Sequence, residues 1–140
     1  MTDVINIDEL IDRMDDESIT YTFDKCSLGE QFRLCLPMKS NFIDKLNIKI
    51  VFYDNGNLEY QAKVPIIFKE AEEHIALKIV NEMNYHNQIT SYYLEGEHVA
   101  KAKYIIKTNG VVKVSSDYIL STAFHFAETI DDSLCRTFCK

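Results

Sequence analysis

The sequence of 140 residues has few of the residues that interrupt regular secondary structure, with only four glycines and two prolines. It also has no tryptophan. With so few glycines it has no flexible linker and no glycine-rich loop that could cradle a phosphate group. Its longest apolar runs, such as 64–68, are far too short to cross a bilayer. We therefore predict a single domain over residues 1–140.

Positive charge is also scarce, since 15 Lys and Arg stand against 22 Asp and Glu, for a net charge of −7. This balance argues against nucleic acid as the main partner. The first residues lack the basic and apolar segments of a secretory signal, so we expect a cytoplasmic protein with no membrane association. Acids dominate residues 1–24, whereas residues 101–113 contain four lysines and no acid.

No catalytic motif is present. The dense carboxylates at 12–17 lack the order of a calcium loop, and no serine lies in a nucleophile elbow. Cys135 and Cys139, four apart, could share a helix face and bind zinc, but no second cysteine pair has matching spacing. The fold could also bring Cys35 and His125 together as a catalytic Cys–His dyad. We expect reduced thiols, no cofactor, no metal and no enzymatic activity.

Hydrophobic periodicity predicts an α+β fold, an antiparallel sheet with flanking helices in the order α-β-β-β-β-α-β-β-α. The predicted helices cover residues 6–14, 69–84 and about 115–138, and the predicted strands cover 19–24, 30–36, 46–53, 58–64, 88–94 and 98–107. Whether the first two strands join the main sheet stays open at this point.

Several local signals set the predicted boundaries. Asn55-Gly56 favours a type I′ turn, which would pair strands 46–53 and 58–64 as a hairpin. Pro37 and Pro65 should end their strands, because proline cannot donate to a ladder. In helix 69–84 the predicted apolar stripe is Ala71, Ile75, Ile79 and Met83, with Ala76 and Val80 beside it.

A candidate partner-binding surface lies in the second predicted hairpin. Successive strand residues point to opposite faces, so one of two neighbouring tyrosines should be exposed, and alternate lysines should share a face. Exposed tyrosines favour protein contacts. A solvated face is the simpler interpretation, and a mixed aromatic and basic surface for an acidic peptide is the sharper one. The candidate residues are Tyr92, Tyr93, Lys101, Lys103, Tyr104 and Lys107.

The order of elements resembles that of YbjN-like proteins and, more distantly, the type III secretion chaperone-like fold. The resemblance is carried by segments 46–52 (LNIKIVF), 58–65 (LEYQAKVP) and 79–84 (IVNEMN) and by the hairpin and helix that follow. The early strand pair adds to the usual strand count of that family. The resemblance implies a binding module for peptides or proteins, chaperone-like and often dimeric, with no catalytic residues to carry over.

Three functional hypotheses follow from the sequence. The first is a non-enzymatic cytoplasmic binding module, chaperone-like, that recognises a peptide or protein partner and could form a homodimer. The alternative is an acidic inhibitor or immunity-type protein that masks a basic partner with Asp12, Asp15, Asp16 and Glu17. A further alternative is a small metal-binding or thiol enzyme that uses Cys135, Cys139 and a histidine.

Overall fold

The computed structural model describes residues 7–26, 29–37, 45–53, 56–86, 90–95, 99–106, 114–130 and 133–138. The predicted α+β class and element order are confirmed. The elements are α1 (Ile7–Asp16), β1 (Tyr21–Cys26), β2 (Gly29–Pro37), β3 (Lys45–Tyr53), β4 (Leu58–Ile67), a 3₁₀ turn (Glu70–Glu72), α2 (Glu73–His86), β5 (Ser91–Glu95), β6 (Val99–Ile106), α3 (Ser116–Glu128) and α4 (Ser133–Phe138).

The six strands form one antiparallel sheet in the order β1-β2-β3-β4-β6-β5. The first two strands therefore join the main sheet. Strand β6 lies between β4 and β5, so β1 and β5 are the two edges. The β5–β6 hairpin therefore joins the rest of the sheet through β6.

The helices pack on one face of the sheet. Phe32, Ile50 and Tyr60 lie opposite one another across β2, β3 and β4, and all three are fully buried. They share one core with Leu10 of α1 and Ala123 of α3. The strand residues in this core have the same alternation parity, so the core fills the space between the helices and that face.

Helix α1 ends two residues later than predicted, in a Schellman-type motif. Ser18 has a φ of 56°. Its N–H donates to the Asp15 carbonyl at 3.1 Å, and the Ile19 N–H donates to the Met14 carbonyl at 2.9 Å. A serine thus occupies the left-handed position that glycine usually takes, and the chain turns directly into β1.

The β3–β4 hairpin is confirmed, but its turn differs from the expected type I′ geometry. The Gly56 N–H donates to the Tyr53 carbonyl at 2.9 Å, one residue earlier than a turn centred on Asn55-Gly56 requires. Gly56 has a φ of 91°, which suits the bulge position after a turn. The positive φ explains the glycine in either geometry, so the sequence signal alone did not separate the two.

The prediction that Pro65 ends its strand was wrong. Strand β4 continues to Ile67, and its register with β6 shifts between Lys63 and Ile67. Proline removes one ladder donor, and a register irregularity accommodates that loss without ending the strand. The expectation for Pro37 was correct, since β2 ends there.

The terminal helix, predicted as one continuous element, is two helices. Thr129 ends α3, its N–H and Oγ1 both donating to the His125 carbonyl, at 3.0 Å and 2.8 Å. The sequence continues with Asp131 and Asp132, which are unfavourable near a helix C-terminus and favourable just before a new N-terminus. The apolar periodicity crosses this point, so it concealed the break.

Helix α2 is rotated relative to the predicted stripe. Ala76, Val80 and Met83 are buried, whereas Ile75 is 40% exposed and Leu77 is 49% exposed. The segment begins with a 3₁₀ turn of three residues per turn, which changes the phase of everything after it. The outer side of α2 therefore carries Ile75, which the predicted stripe placed in the core, together with Leu77, which was not part of that stripe.

Candidate functional site

The candidate site is the sheet face that none of the described helices covers, which we call the open face. Strand alternation and register place six cationic side chains on it. Among the described strand residues, the acids on the same face are Asp24, Glu59 and Glu95. In a chain with a net charge of −7, this face is therefore locally basic. Its cations are Arg33, Lys45, Lys49, Lys63, Lys101 and Lys103.

The structure places five of the six candidate residues and divides them between the two faces. Tyr93, Lys101 and Lys103 lie on the open face, as the alternation of β5 and β6 requires. Tyr92 is 3% exposed and belongs to the core on the covered face. Tyr104 is on the covered face too, packed beside Tyr60 with ring centroids 6.1 Å apart. Lys107 lies outside the described residues.

Two contacts tie the lysines of β6 to edge strand β5. Lys101 Nζ forms an ion pair with Glu95, and this hydrogen-bonded carboxylate raises the pKa of the lysine. Lys103 Nζ lies 5.7 Å from the centre of the Tyr93 ring, within range of a cation–π contact. Partial burial raises the pKa of the Tyr93 phenol, so it stays a neutral donor near pH 7.

A buried carboxylate lies at the centre of the open face. Glu59 is only 7% exposed, and Tyr53 Oη donates to its Oε2 at 2.8 Å. Gln61 Nε2 donates to the same oxygen. Burial of a charge is tolerated when hydrogen bonds compensate it, and these two donors compensate Glu59. The centre of the face is thus a fixed acidic point within a basic surround.

Like charges lie directly opposite each other on this face. Arg33 on β2 is opposite Lys49 on β3, and Lys63 on β4 is opposite Lys101 on β6. Glu95 neutralises Lys101, but Arg33, Lys49 and Lys63 form no ion pair with any described residue. Directly opposed like charges destabilise a sheet. This arrangement is thus unfavourable for folding and available to an anionic ligand.

Sequence analysis missed Arg33, Lys49 and Lys63 as candidates. Alternation in their own strands already placed them away from the apolar positions, so a signal was present. The sequence does not show that β6 pairs with β4. This pairing brings these cations onto the same surface as Lys101 and Lys103. Pairing between strands so far apart in the chain leaves no local pattern.

The helix layer has the opposite charge. Asp8, Glu9, Asp12, Asp15 and Asp16 lie on α1, against the one base Arg13. Four further acids lie in the segment from the 3₁₀ turn to the end of α2, against one lysine. Arg13 is itself engaged, with its Nη2 2.6 Å from Asp117 Oδ1 on α3. The molecule therefore has an acidic helical side and a basic sheet side.

The positions of the described cysteines and histidines give little support to the thiol and metal hypotheses. Cys35 lies on the open face, whereas His125 is exposed on α3 across the sheet, so the pair suggested by the sequence is not formed. Cys135 is fully buried, and Cys139 lies outside the described residues. No group of three or more potential metal ligands occurs within the described part of the chain.

Two further features give less information about function. The outer side of α2 has a shallow groove of about 440 Å³ between Leu77 and Tyr85, which are 49% and 82% exposed. Within the described ranges, no helix has the length and apolar character needed to span a membrane.

Comparison with known proteins supports the fold. The search of solved structures returned the crystal structure of YbjN from E. coli, described there as a candidate transcription regulator, with a TM-score of 0.57 and 16% sequence identity. The match covers 87% of this chain and 83% of that chain. The predicted YbjN-like architecture is thereby confirmed at the level of fold. No family model and no curated protein sequence matches the chain.

Proposed function

We propose that the chain is a non-enzymatic binding protein that holds an acidic peptide or protein segment on its open face. The observation that carries this proposal is the set of cations that form no ion pair with any described residue, Arg33 directly opposite Lys49, and Lys63 on β4. An acidic ligand would remove their mutual repulsion, so its binding gains energy that the free protein lacks.

The net charge of −7 does not oppose this proposal. Most helical acids lie in the helix layer, which is about 10–12 Å thick and packs on the other side of the sheet from the open face. The Debye length at physiological ionic strength is about 8 Å. A ligand at the open face therefore experiences mainly the local cations.

An acidic peptide fits this face better than a nucleic acid does. Single-stranded nucleic acids need free aromatic faces for stacking and a groove without acids. Here the Tyr93 ring already carries Lys103, Tyr53 is held by Glu59, and Glu59 itself would repel a phosphate. A peptide can place carboxylates over the cations and a backbone donor over Glu59.

Charge reversal tests the proposal. We expect Lys49→Glu to weaken binding of a fluorescein-labelled glutamate-rich peptide about fivefold, because an exposed charge contact contributes up to ~1 kcal/mol. Lys78→Glu, the same change on exposed α2, is the matched control and should leave the affinity within twofold. Affinity measured by fluorescence anisotropy should fall as salt rises.

Two results would contradict the proposal. Equal peptide affinity for wild type and Lys49→Glu would show that the opposed cations do not bind the ligand. Tighter binding of a single-stranded oligothymidine than of the peptide, again weakened by Lys49→Glu, would make the face a nucleic-acid site instead.

The acidic-inhibitor hypothesis retains one specific observation. Asp12, Asp15, Asp16 and Glu17 are all exposed at the end of α1, although Asp15 also accepts a hydrogen bond from Tyr21. Joint reversal of Asp12, Asp16 and Glu17 to lysine should abolish binding of a lysine-rich probe peptide if this surface masks a basic partner. Unchanged probe affinity would count against that function.

The remaining expectations are parts of the same proposal. A chaperone-like role, a homodimer and a cytoplasmic location accompany the binding-module hypothesis, and multi-angle light scattering of the purified chain measures the dimer directly. Elemental analysis tests the metal-binding alternative at Cys135 and Cys139. Stoichiometric zinc in the purified protein would revive that alternative.

A further inference from the structure

The two edges of the sheet differ in whether their outward backbone groups have partners. At edge strand β5, the Asn84 side chain of α2 bonds to the backbone of Tyr92: Nδ2 donates to the Tyr92 carbonyl, and Oδ1 accepts from the Tyr92 N–H, both at 2.7 Å. This amide occupies backbone groups through which another strand would pair. Strand β5 is therefore partly closed to a further strand.

Edge strand β1 has no such cover among the described residues. The Cys35 N–H donates to the Thr20 carbonyl at 3.4 Å, across the pair Thr20–Cys35. Since hydrogen-bonded pairs alternate along an antiparallel ladder, the backbone groups of Tyr21, Phe23 and Lys25 point away from β2. No described residue forms a backbone hydrogen bond with these outward groups. Strand β1 can therefore accept a further strand.

The covered face of this edge is aromatic and incompletely buried. Tyr21 and Phe23 are half-buried and flank Phe32, with ring centroids 5.9 Å and 4.6 Å from it. Aromatic pairs across neighbouring strands stabilise a sheet. A further strand that carries its own aromatic residue opposite Phe23 would therefore cover apolar surface that the single chain leaves exposed.

We propose that β1 pairs antiparallel with β1 of a second copy of this chain, about a two-fold axis that passes beside Phe23, so that the two sheets become one. This inference rests on the homodimer that accompanies the proposed function, and it specifies the interface. The axis places the two Phe23 residues opposite each other. It also brings the outward backbone groups of Tyr21 opposite those of the partner's Lys25, so every main-chain bond is made twice.

Charge complementarity selects this occupant and this register. The axis places the partner's Asp24, which is exposed on the open face, opposite Thr22, in the row that continues through Arg33 to Lys49. The partner's carboxylate accepts from the Thr22 hydroxyl and reaches towards Arg33, which forms no ion pair with a described residue. An axis beside Asp24 would oppose two carboxylates, and an axis beside Thr22 would bring no acid into this row.

An acidic segment fits this edge less well than a second copy does. It would meet Asp24 on the open face, and on the covered face it would meet Asp15, which accepts a hydrogen bond from Tyr21. In the two-fold arrangement the two Asp15 side chains lie on opposite sides of the axis, because Tyr21 is two residues from Phe23 and the strands run in opposite directions. The two open faces lie on the same side, so their basic surfaces become continuous.

Disulfide cross-linking tests the register. Thr22 and the partner's Asp24 form a non-hydrogen-bonded pair, in which Cα atoms are about 4.5 Å apart, within the range of about 4.4–6.8 Å that a disulfide spans. Thr22→Cys and Asp24→Cys should therefore cross-link when the two proteins are mixed. Each variant alone should not, because its two new cysteines lie on a diagonal of about 7–8 Å. We expect at least tenfold more covalent dimer from the mixture on a non-reducing gel.

Sedimentation velocity of the full chain tests the charge argument. We expect a dimer that Asp24→Lys weakens at least tenfold, because the new lysine lies in the same row as Arg33. Adding Arg33→Glu to Asp24→Lys should restore the dimer, since the charges are then exchanged. The matched control is Glu82→Lys, the same charge change on the exposed side of α2, which should leave dimerisation within twofold.

Several results would overturn the β1 interface. They are a monomer at concentrations up to ~1 mM, equal dimerisation of wild type and Asp24→Lys, and single cysteine variants that cross-link as readily as the mixture. A dimer that Glu82→Lys weakens more than Asp24→Lys does would place the interface at α2 and would also overturn the proposal.

The outcomes separate this inference from the proposed function. If the chain is a monomer and Lys49→Glu weakens the acidic peptide, the open face binds acids and only the β1 interface is wrong. If the cysteine mixture cross-links while Lys49→Glu leaves peptide affinity unchanged, the β1 interface is correct and the acidic-ligand function is wrong.

Discussion

The same strands build two faces with opposite properties. On the covered face, Phe32, Ile50 and Tyr60 form a continuous apolar row under the helices. One residue along each strand, Arg33, Lys49 and Gln61 form a polar row. Alternation alone creates this division, and the helices decide which row becomes the core.

The two faces also differ in whether neighbouring side chains attract or repel one another. Aromatic pairs on the covered face, such as Phe32 with Phe52 at 5.6 Å, stabilise the fold. On the open face the opposed cations destabilise it. An arrangement that costs stability and is confined to one surface is typical of a binding function, and substitutions on each face test that contrast.

The largest effect should come from the covered face. We expect Phe32→Ala to lower the free energy of unfolding by about 3–5 kcal/mol, because it opens a cavity among Tyr21, Phe23 and Phe52. The comparison is Val51→Ala on the open face, where Val51 is 4% exposed but outside the main core, with a loss of about 1–2 kcal/mol. Urea unfolding measures both, and equal losses would contradict the distinction.

A substitution at edge strand β5 should have the next-largest effect. Asn84→Ala removes both side-chain bonds to the Tyr92 backbone, so we expect a loss of about 1–2 kcal/mol and a greater tendency to aggregate through β5. Asn81→Ala, an exposed asparagine on the same helix, is the control and should change stability by less than about 0.5 kcal/mol. Thermal melts and light scattering together measure the two effects.

Tyr60 links the covered face to α3 through one hydrogen bond. Its hydroxyl donates to the Ile119 carbonyl at 2.8 Å, so Tyr60→Phe should cost about 1 kcal/mol. Burial raises the pKa of this phenol well above its ordinary value of 10. Tyr104→Phe, on the same face and half-buried, should cost less than Tyr60→Phe.

The raised pKa of Tyr60 gives a pH dependence of definite sign. Above about pH 10 the unfolded phenol ionises while the buried one stays protonated, so the unfolded state binds fewer protons and stability falls as pH rises. Relative to Tyr60→Phe, the wild type should lose up to about 1.4 kcal/mol more per pH unit in that range. Parallel curves from urea unfolding between pH 8 and 11 would show that Tyr60 ionises equally in both states.

The contrast between the faces also marks what the sequence could predict. Alternation and turn signals predicted the strands, their order along the chain and the face that Lys101 and Lys103 share, because these depend on neighbours in the sequence. The rotation of α2 and the break after Glu128 were not predicted, since a 3₁₀ turn and a capping threonine changed the phase without changing the apolar pattern.

The candidate site was only half predictable for a related reason. The tyrosines and lysines of β5 and β6 became candidates because they lie close together in the sequence. Two of them, Tyr92 and Tyr104, instead belong to the core. The cations that matter most in the proposal, Arg33 and Lys49, lie on β2 and β3. They join the others only through pairing across the sheet, which depends on tertiary packing.

The smallest expected effect is also the most diagnostic, because stability and binding should change in opposite directions. Lys49→Glu replaces the repulsion from Arg33 with attraction, so the free energy of unfolding should rise by about 0.5 kcal/mol while acidic-peptide affinity falls. Lys45→Glu makes the same charge change on the same strand but opposite Pro37, and should leave stability unchanged. If Lys49→Glu lowers stability, the opposed cations do not repel each other in the free protein, and the argument that they are kept for a ligand fails.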